Sequence, residues 1–266
     1  MDLNLAAKAL AKQFDQAIAA NKDITRLYAR VRDGTAGYEE ALEFASRSGQ
    51  TLGNICAADL VKMFPNGVIT EAEAMQLLPP ALQKNHTYVT EFTRRVQEQI
   101  NARAGIKLGA TVAEYPKARV AGLAKELAQK GIEAVKDSLA SQIENLSMST
   151  VDDCARENMD AQANASYKVR VIREYHPEDT DQSAHHGSKS EPYEWCEFCK
   201  EREGVYDYED VKDTGNPVWQ RHEGCHCTIT YISEKRTDTV YNGHRSKNER
   251  ADTVSARQRQ GLHPRR

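Results

Sequence analysis

Apolar residues in the first two-thirds of the chain recur at spacings of three and four, which is the period of an amphipathic α-helix. The clearest stripes are Leu3, Ala6, Leu10, Phe14 and Ile18 near the amino terminus, and Tyr88, Phe92, Val96 and Ile100 further along. Residues 1–150 are therefore predicted to form helices. Their apolar faces would pack together in a bundle or, in an extended arm, against a partner chain.

Capping and helix-breaking residues divide this helical region. Asp23 is a candidate N-cap for a second helix, and Gly34 is placed to end it. Thr70 and Glu73 have the spacing of a capping box, in which each side chain accepts a hydrogen bond from the other residue's backbone. The pair Pro79-Pro80 follows a few residues later and ends that helix, because proline lacks the backbone N–H donor.

A second helical stretch begins at Pro116 and is interrupted by Gly131. The pair Ser149-Thr150 is followed by acidic residues, Asp152 first among them. Carboxylates favour the positive end of the helix dipole, so this pattern predicts a new helix start. The polar segment that follows, residues 151–167, is predicted to be a helix with a narrow buried face.

The pattern changes near residue 168, where apolar and polar residues begin to alternate. Residues 169–175 alternate as a short, half-buried strand does. Residues 176–191 contain no large aliphatic side chain and are predicted to form a loop. Residues 227–232 are rich in β-branched side chains and predict a closing strand.

We therefore expect a mainly α fold with three parts: a helical arm or bundle at 1–150, a small α+β module at 151–232, and a flexible basic tail at 233–266. The tail holds nine Lys and Arg against four Asp and Glu, a net charge of +5. The whole chain has 36 Lys and Arg against 39 Asp and Glu, which argues against a nucleic-acid binder driven by overall positive charge.

Nothing in the sequence indicates a membrane or secretory segment. No stretch approaches the roughly 18 consecutive apolar residues of a membrane span. The amino terminus mixes charged residues into its apolar stripe and has no signal-peptide core. We therefore expect a soluble protein that is made in the cytoplasm and has no membrane partner.

Cysteine supplies the main candidate chemistry, because four of the six cysteines fall within 32 residues. The order is Cys-x2-Cys, 22 intervening residues, and His-x2-Cys-x-Cys. Structural zinc sites are closed tetrahedral sets of Cys and His, and this segment offers five candidates for four positions. The preferred ligands are Cys196, Cys199, His222 and Cys227, with Cys225 as the nearest substitute.

One structural Zn²⁺ is favoured over the other uses of clustered cysteines. Disulfides would fit a secreted protein, and a redox dithiol would fit a βαβ context, and the sequence indicates neither. The segment 168–232 is short and polar, so bound metal would supply folding free energy. A catalytic metal would need an open coordination position, which a closed set of Cys and His ligands does not leave. Cys56 and Cys154 lie in helical stretches and are predicted to be small buried apolar groups.

Several features of the carboxyl-terminal third occur in one fixed order. They are Cys196 and Cys199, then Gly204-Val205-Tyr206, then Arg221-His222, Cys225 and Cys227, then the strand Thr228 to Tyr231. This order resembles the minor head proteins of tailed bacteriophages, the head-morphogenesis family typified by phage Mu protein F. That family's ending commonly reads His-Pro-Asn-Cys-Arg-Cys, whereas this chain has Glu223-Gly224 and His226 at the variable places.

The resemblance implies a structural, non-enzymatic minor capsid protein, present in a few copies per virion. It would contact the portal or the major capsid protein at the inner wall of the head, and some relatives leave with the DNA. The basic tail would fit a position near packaged DNA, since Lys and Arg displace counterions from phosphates. The alternatives are a zinc-knuckle nucleic-acid-binding protein and an HNH-type nuclease, for which the tail offers Asn242, His244 and Asn248.

Overall fold

A computed structural model of the chain describes residues 2–175, 198–213, 215–221, 225 and 227–235, and all structural statements refer to these. The architecture is mainly α, with a small three-stranded sheet in the carboxyl-terminal region, which confirms the predicted fold class. The predicted loop at 176–191 and the predicted flexible tail beyond Lys235 lie outside the described residues. Within the described part, no helix has both the length and the apolar character that a membrane crossing needs.

The described helices and strands follow one another along the chain in a fixed order. The helices are α1 (Leu3–Ala20), α2 (Lys22–Arg32), α3 (Tyr38–Met63), α4 (Glu71–Leu77), α5 (Pro79–Arg103), α6 (Lys117–Lys130), α7 (Ile132–Asn164) and the one-turn α8 (Tyr208–Val211). The strands are β1 (Tyr167–Glu174), β2 (Gly204–Asp207) and β3 (Thr228–Lys235), with a short 3-10 helix at Pro217–Trp219. β3 therefore continues three residues beyond the predicted strand end at residue 232.

Most of the predicted helix signals are confirmed. The stripe on α1 buries Leu10, Phe14 and Ile18. The capping box before α4 forms as predicted: the Glu73 backbone N–H donates to Thr70 Oγ1 at 3.2 Å, and the Thr70 N–H donates to Glu73 Oε2 at 2.8 Å. α4 ends just before the proline pair, which opens α5 instead.

The predicted cap of α2 is wrong by two residues. Asn21 is the N-cap, because its side chain accepts hydrogen bonds from the backbone N–H groups of Asp23 at 3.0 Å and Ile24 at 3.2 Å. Asp23 lies in the first turn of the helix instead. An acidic side chain there is still stabilised by the helix dipole.

The predicted helix start at Ser149-Thr150 is also wrong, since α7 runs without a break from Ile132 to Asn164. The Thr150 hydroxyl donates to the Leu146 carbonyl at 3.0 Å, one turn earlier in the same helix. Its side chain is therefore satisfied inside the helix and does not cap a new one.

Helices α3 and α7 pack closely because two glycines lie between their backbones. A Cβ added at Gly53 would lie 2.4 Å from Ala140 Cα, and one added at Gly49 would lie 2.7 Å from Glu144 Cα. Both distances are too short for any side chain. The two helices therefore approach as closely as their backbones allow.

The helices share one hydrophobic core, so the amino-terminal part is a bundle and not an extended arm. At its centre the rings of Phe44 and Phe92 stack with their centroids 4.4 Å apart, and Tyr28 contacts both rings edge-on. Phe44 and Phe92 are fully buried. Aromatic pairs of this kind add stability beyond the apolar area that they bury.

The sheet is continuous with that core. β1 lies between β2 and β3 and is antiparallel to both, with Val171 opposite Tyr206 on one side and Tyr231 on the other. Val169 and Val171 point to the same face of β1 and belong to the core that the helices form. The sheet is thereby anchored to the helical bundle.

A buried chain of hydrogen bonds also ties the sheet to the bundle. Tyr38 on α3 donates to Gln97 on α5, and Gln97 Nε2 donates to Asn101 Oδ1 at 2.7 Å. Gln162 on α7 donates to the same Asn101 oxygen at 3.1 Å and to the Tyr231 hydroxyl of β3 at 3.0 Å. Buried polar groups need such partners, so this network fixes how three helices and one strand meet.

Candidate metal centre

Three of the clustered cysteines converge in the carboxyl-terminal region. Cys199, Cys225 and Cys227 are each 2% exposed or less, and their Sγ atoms all lie within 4.8 Å of one another. The Cys199 and Cys225 sulfurs are 3.7 Å apart. The described cysteines form no disulfide with one another. Three buried sulfurs at this spacing could hold a metal ion.

Two of these cysteines lie where the central strand β1 ends and the closing strand β3 begins. Thr228, the first residue of β3, pairs with Glu174 at the end of β1, and Cys227 directly precedes it. Cys225 lies two residues earlier and is also buried, and Tyr175, which follows β1, packs against the sulfur cluster. The chain therefore brings these two thiols to the point where the sheet begins.

Cys199 reaches the cluster from a compact turn before β2. The Arg202 backbone N–H donates to the Cys199 carbonyl at 3.1 Å. The Arg202 guanidinium lies 3.5 Å from the centre of the Phe198 ring and also donates to the Phe198 carbonyl at 2.6 Å. This cation–π contact and hydrogen bond hold the turn that presents the Cys199 sulfur.

A buried ion pair lies directly against the sulfurs. Arg221 donates to both carboxylate oxygens of Asp152 on α7, with Nη2 to Oδ1 at 2.8 Å, and the two side chains are only 3% and 6% exposed. The Arg221 Nη1 atom donates to the Cys227 carbonyl at 2.8 Å and lies 3.9 Å from the Cys225 sulfur. One guanidinium thus contacts the helix on one side and the cysteine segment on the other.

A second arginine is buried nearby on the core face of β1. Arg173 is 1% exposed, and its Nη1 donates to the carbonyls of Val218 and, at 3.5 Å, Pro217. Its Nε and Nη2 atoms have no hydrogen-bond acceptor within the described part of the chain. Its charge acts on Cys227 and Asp152, so it belongs to the same electrostatic environment.

The surroundings shift the pKa values of these thiols in different directions. Hydrogen bonds from Cys199 and Cys227, together with the Arg221 charge, hold the pKa of Cys225 far below its ordinary value. The hydrogen bonds that Cys199 makes to its two neighbours, together with burial, raise its pKa. The Arg221 charge therefore favours a thiolate in this cluster, and the thiolate is the form that binds metal ions.

The two remaining cysteines behave as the sequence predicts. Cys56 and Cys154 are fully buried in α3 and α7, and burial raises the pKa of each thiol to about 12. Neither belongs to the three-sulfur cluster. Both are small packed groups with little thiolate character.

No family model, curated protein or solved structure matches this chain. The similarity to phage head-morphogenesis proteins therefore stays a prediction that depends on the order of motifs. The geometry itself establishes a narrower point, which is a buried set of three cysteines able to hold a metal ion.

The predicted ligands divide into two groups. Cys199, Cys225 and Cys227 come together, so the fold brings both Cys225 and Cys227 to the cluster. Cys196 and His222 lie outside the described residues, as do the tail residues Asn242, His244 and Asn248.

Sequence reasoning misses the charged groups around the sulfurs. It includes Arg221 only as a motif match beside His222, and it interprets Asp152 as part of a helix start. The available signal is a pair of unlike charges in two segments that both fold against the cysteines. Their separation of 69 residues hides the pairing from any local pattern.

Proposed function

We propose that this chain is a structural minor head protein of a tailed phage, with its carboxyl-terminal region held by one structural Zn²⁺. The observation that carries the metal part is the convergence of three buried sulfurs within 4.8 Å. Cys199, Cys225 and Cys227 would supply three ligands. The sequence candidates for the fourth are Cys196 and His222, and both four cysteines and three cysteines with one histidine are established sets in structural zinc sites.

The donor set favours zinc over harder cations. Thiolates are soft ligands that select zinc, copper(I) or iron–sulfur clusters, whereas magnesium and calcium prefer oxygen ligands. A mononuclear tetrahedral ion needs only four donors, which is the number that three cysteines and one further side chain provide. The burial of all three sulfurs also supports a structural role, because a catalytic zinc keeps one position open to water or substrate.

The phage assignment is supported by the order of the motifs and by the charge of the tail. The Cys-x2-Cys pair, the Gly-Val-Tyr segment and the His-x2-Cys-x-Cys ending occur in the family's order. In that role the helical bundle would contact a portal or major capsid protein in the virion. The basic tail, with a net charge of +5, would lie near packaged DNA.

Metal analysis tests the zinc site directly. The purified full-length chain should contain about one zinc per chain, and Cys199→Ser should lose it, because a hydroxyl does not replace a thiolate ligand. Cys56→Ala is the matched control, since Cys56 is equally buried but lies in α3, outside the cluster. A folded wild-type chain without metal, or equal zinc in both variants, would rule out the site.

Portal binding tests the virion role. The chain should co-purify with the portal protein encoded near its own gene, and antibodies should detect it in purified particles of that phage. A host protein of similar size and charge serves as the control for non-specific capture. Absence from the particles would contradict the proposal.

A nucleic-acid-binding zinc protein is the second candidate, favoured by the charge of the tail. It predicts that the full chain binds duplex DNA with an affinity that falls steeply as salt rises. Replacing the tail arginines by glutamine should abolish that binding. Cleavage of DNA by the wild type, lost in His244→Ala, would instead identify an HNH-type nuclease.

A further inference from the structure

Arg221 occupies a position between the sulfur cluster and helix α7. Its Nε and Nη2 atoms bond the Asp152 carboxylate, while Nη1 bonds the Cys227 carbonyl and approaches the Cys225 sulfur. Arginine presents its donors in a rigid planar fork, so the carboxylate and the cysteine segment are fixed relative to each other. A point charge such as a lysine ammonium would not hold both at once.

The charges around the sulfurs suit a thiolate-bound divalent ion. Among the described residues, two buried guanidinium groups, Arg173 and Arg221, lie near one buried carboxylate, Asp152. These three groups sum to one positive charge. Three thiolates around a divalent cation sum to one negative charge, so the loaded centre and its buried surroundings are together neutral when the fourth ligand is neutral. Burial of unbalanced charge is strongly unfavourable.

Arg173 adds a second buried positive charge beside the cluster, and its hydrogen bonding is incomplete. Its Nε and Nη2 atoms are buried without an acceptor in the described part of the chain, although a buried guanidinium normally bonds with all its donors. No hydrogen bond between Arg173 and a sulfur occurs among the described residues, so its contribution to the site is its buried positive charge. Charged and polar groups around a metal site tune its affinity.

We propose that Arg221 is a positioning residue for the metal ligands, and that its bond to Asp152 couples metal occupancy to the order of helix α7. This inference rests on the proposed metal site. When the ion is bound, Arg221 holds the Cys225–Cys227 segment in place and balances part of the thiolate charge. When the ion leaves, the cysteine segment loosens and α7 loses one of its buried partners.

The test compares three variants of the full-length chain. Arg221→Met removes the guanidinium but keeps an apolar stem, and Arg221→Lys keeps the charge without the fork. Arg156→Met is the matched control, because Arg156 lies on α7 and pairs with Asp153, the neighbour of Asp152, at 3.3 Å. Zinc affinity is measured by competition with a chromophoric chelator, and far-UV circular dichroism verifies that each variant is folded.

Two further measurements separate positioning from plain stability. The absorption spectrum of the Co²⁺-loaded chain reports the geometry of the thiolate ligands. Amide hydrogen exchange over residues 146–158, with and without Zn²⁺, reports whether metal occupancy protects α7. A residue that only stabilised the fold would lower stability without changing the Co²⁺ spectrum.

Arg221→Met should weaken zinc binding by about 10–100-fold, alter the Co²⁺ spectrum and remove the metal-dependent protection of α7. Arg221→Lys should restore part of the affinity but not the protection, and Arg156→Met should match the wild type.

Wild-type zinc affinity and an unchanged spectrum in Arg221→Met would overturn the inference while leaving the metal site intact. If the wild type binds no zinc, the proposed site and this inference both fail. If Arg221→Met does not fold, Arg221→Lys decides: wild-type protection of α7 in that variant overturns the coupling.

Discussion

Around Phe92 the chain is held by stacked rings and methyl groups, whereas around Cys225 it is held by sulfurs, guanidinium groups and one carboxylate. The bundle buries a single apolar core through regular helical stripes. The three sulfurs form a separate small cluster, which the sheet and a buried ion pair join to the bundle. The bundle is therefore stabilised mainly by apolar burial, which any metal-free chain retains, and the sulfur region by interactions that need a ligand to be complete.

Removal of the metal should produce the largest difference in stability between the two regions. Chelation of the zinc-loaded chain should expose the amides around Cys199 and around Cys225 and Cys227 to exchange, because structural zinc contributes on the order of 10 kcal/mol to the folding of such segments. Amides of α1 and α5 should stay protected. Hydrogen exchange with and without a chelator measures both, and re-addition of Zn²⁺ is the control. Equal loss of protection in the bundle would show that the two regions are not stabilised separately.

A substitution at the closest helix contact should damage the bundle instead. Gly53→Ala places a methyl group 2.4 Å from Ala140 Cα, so the α3–α7 pair must separate. Overpacking of this kind should lower the free energy of unfolding by about 3 kcal/mol. Urea unfolding followed by circular dichroism measures the change.

The control for that substitution is Gly122→Ala. Gly122 lies within α6, and nothing lies within 4 Å of the added Cβ. This change should raise stability by roughly 0.5–1 kcal/mol, because alanine favours the helix more than glycine. Similar effects of the two substitutions would contradict the close packing described for α3 and α7.

The connection between the two regions can be tested with Tyr231→Phe. The Tyr231 hydroxyl accepts the hydrogen bond from Gln162, which links β3 to α7. Its loss should reduce stability by about 1 kcal/mol, as expected for one buried hydrogen bond. Tyr167→Phe on β1 is the control, since no hydrogen bond of its hydroxyl occurs among the described residues, and it should leave the urea midpoint unchanged.

The smallest expected effect concerns surface charge on the bundle. Hydrogen bonds from Arg94, followed by those from Arg95, lower the pKa of Glu91 to about 2. A lowered pKa stabilises the folded chain above the ordinary value of 4.5, and this contribution disappears as pH falls toward 2. Because the Glu91 side chain is 39% exposed, we expect only a few tenths of a kcal/mol.

Glu91→Gln should therefore lower stability slightly at neutral pH and not at all near pH 2. Glu114→Gln provides the comparison, because Glu114 is exposed and forms no ion pair among the described residues. Thermal unfolding at several pH values measures the difference between the two variants. An effect of Glu91→Gln that grew as pH fell would contradict the assigned sign.

The bundle could be predicted in detail because its stabilising pattern is local. Spacings of three and four located α1 and α5, and the capping box located the start of α4. The helix start predicted at Ser149-Thr150 failed because a hydroxyl can bond the preceding turn of its own helix as readily as it caps a new one. Local pattern does not distinguish those two outcomes.

The candidate site was predictable only in part. Clustered cysteines are recognisable by their spacing, and three of the five predicted ligands converge. The groups that surround them come from distant segments: Asp152 from the middle of α7 and Arg173 from the central strand. Their roles follow from tertiary contacts that no window of sequence contains.

Helix α7 has 33 residues, so at 1.5 Å per residue it is about 50 Å long. Its first half lies against α3, and its second half carries Asp152 and Gln162 toward the sheet. A single proteolytic cut between Ser149 and Thr150 would divide the helix that both regions contact. The two fragments would then keep the native arrangement only through non-covalent contacts, because no continuous backbone would join them.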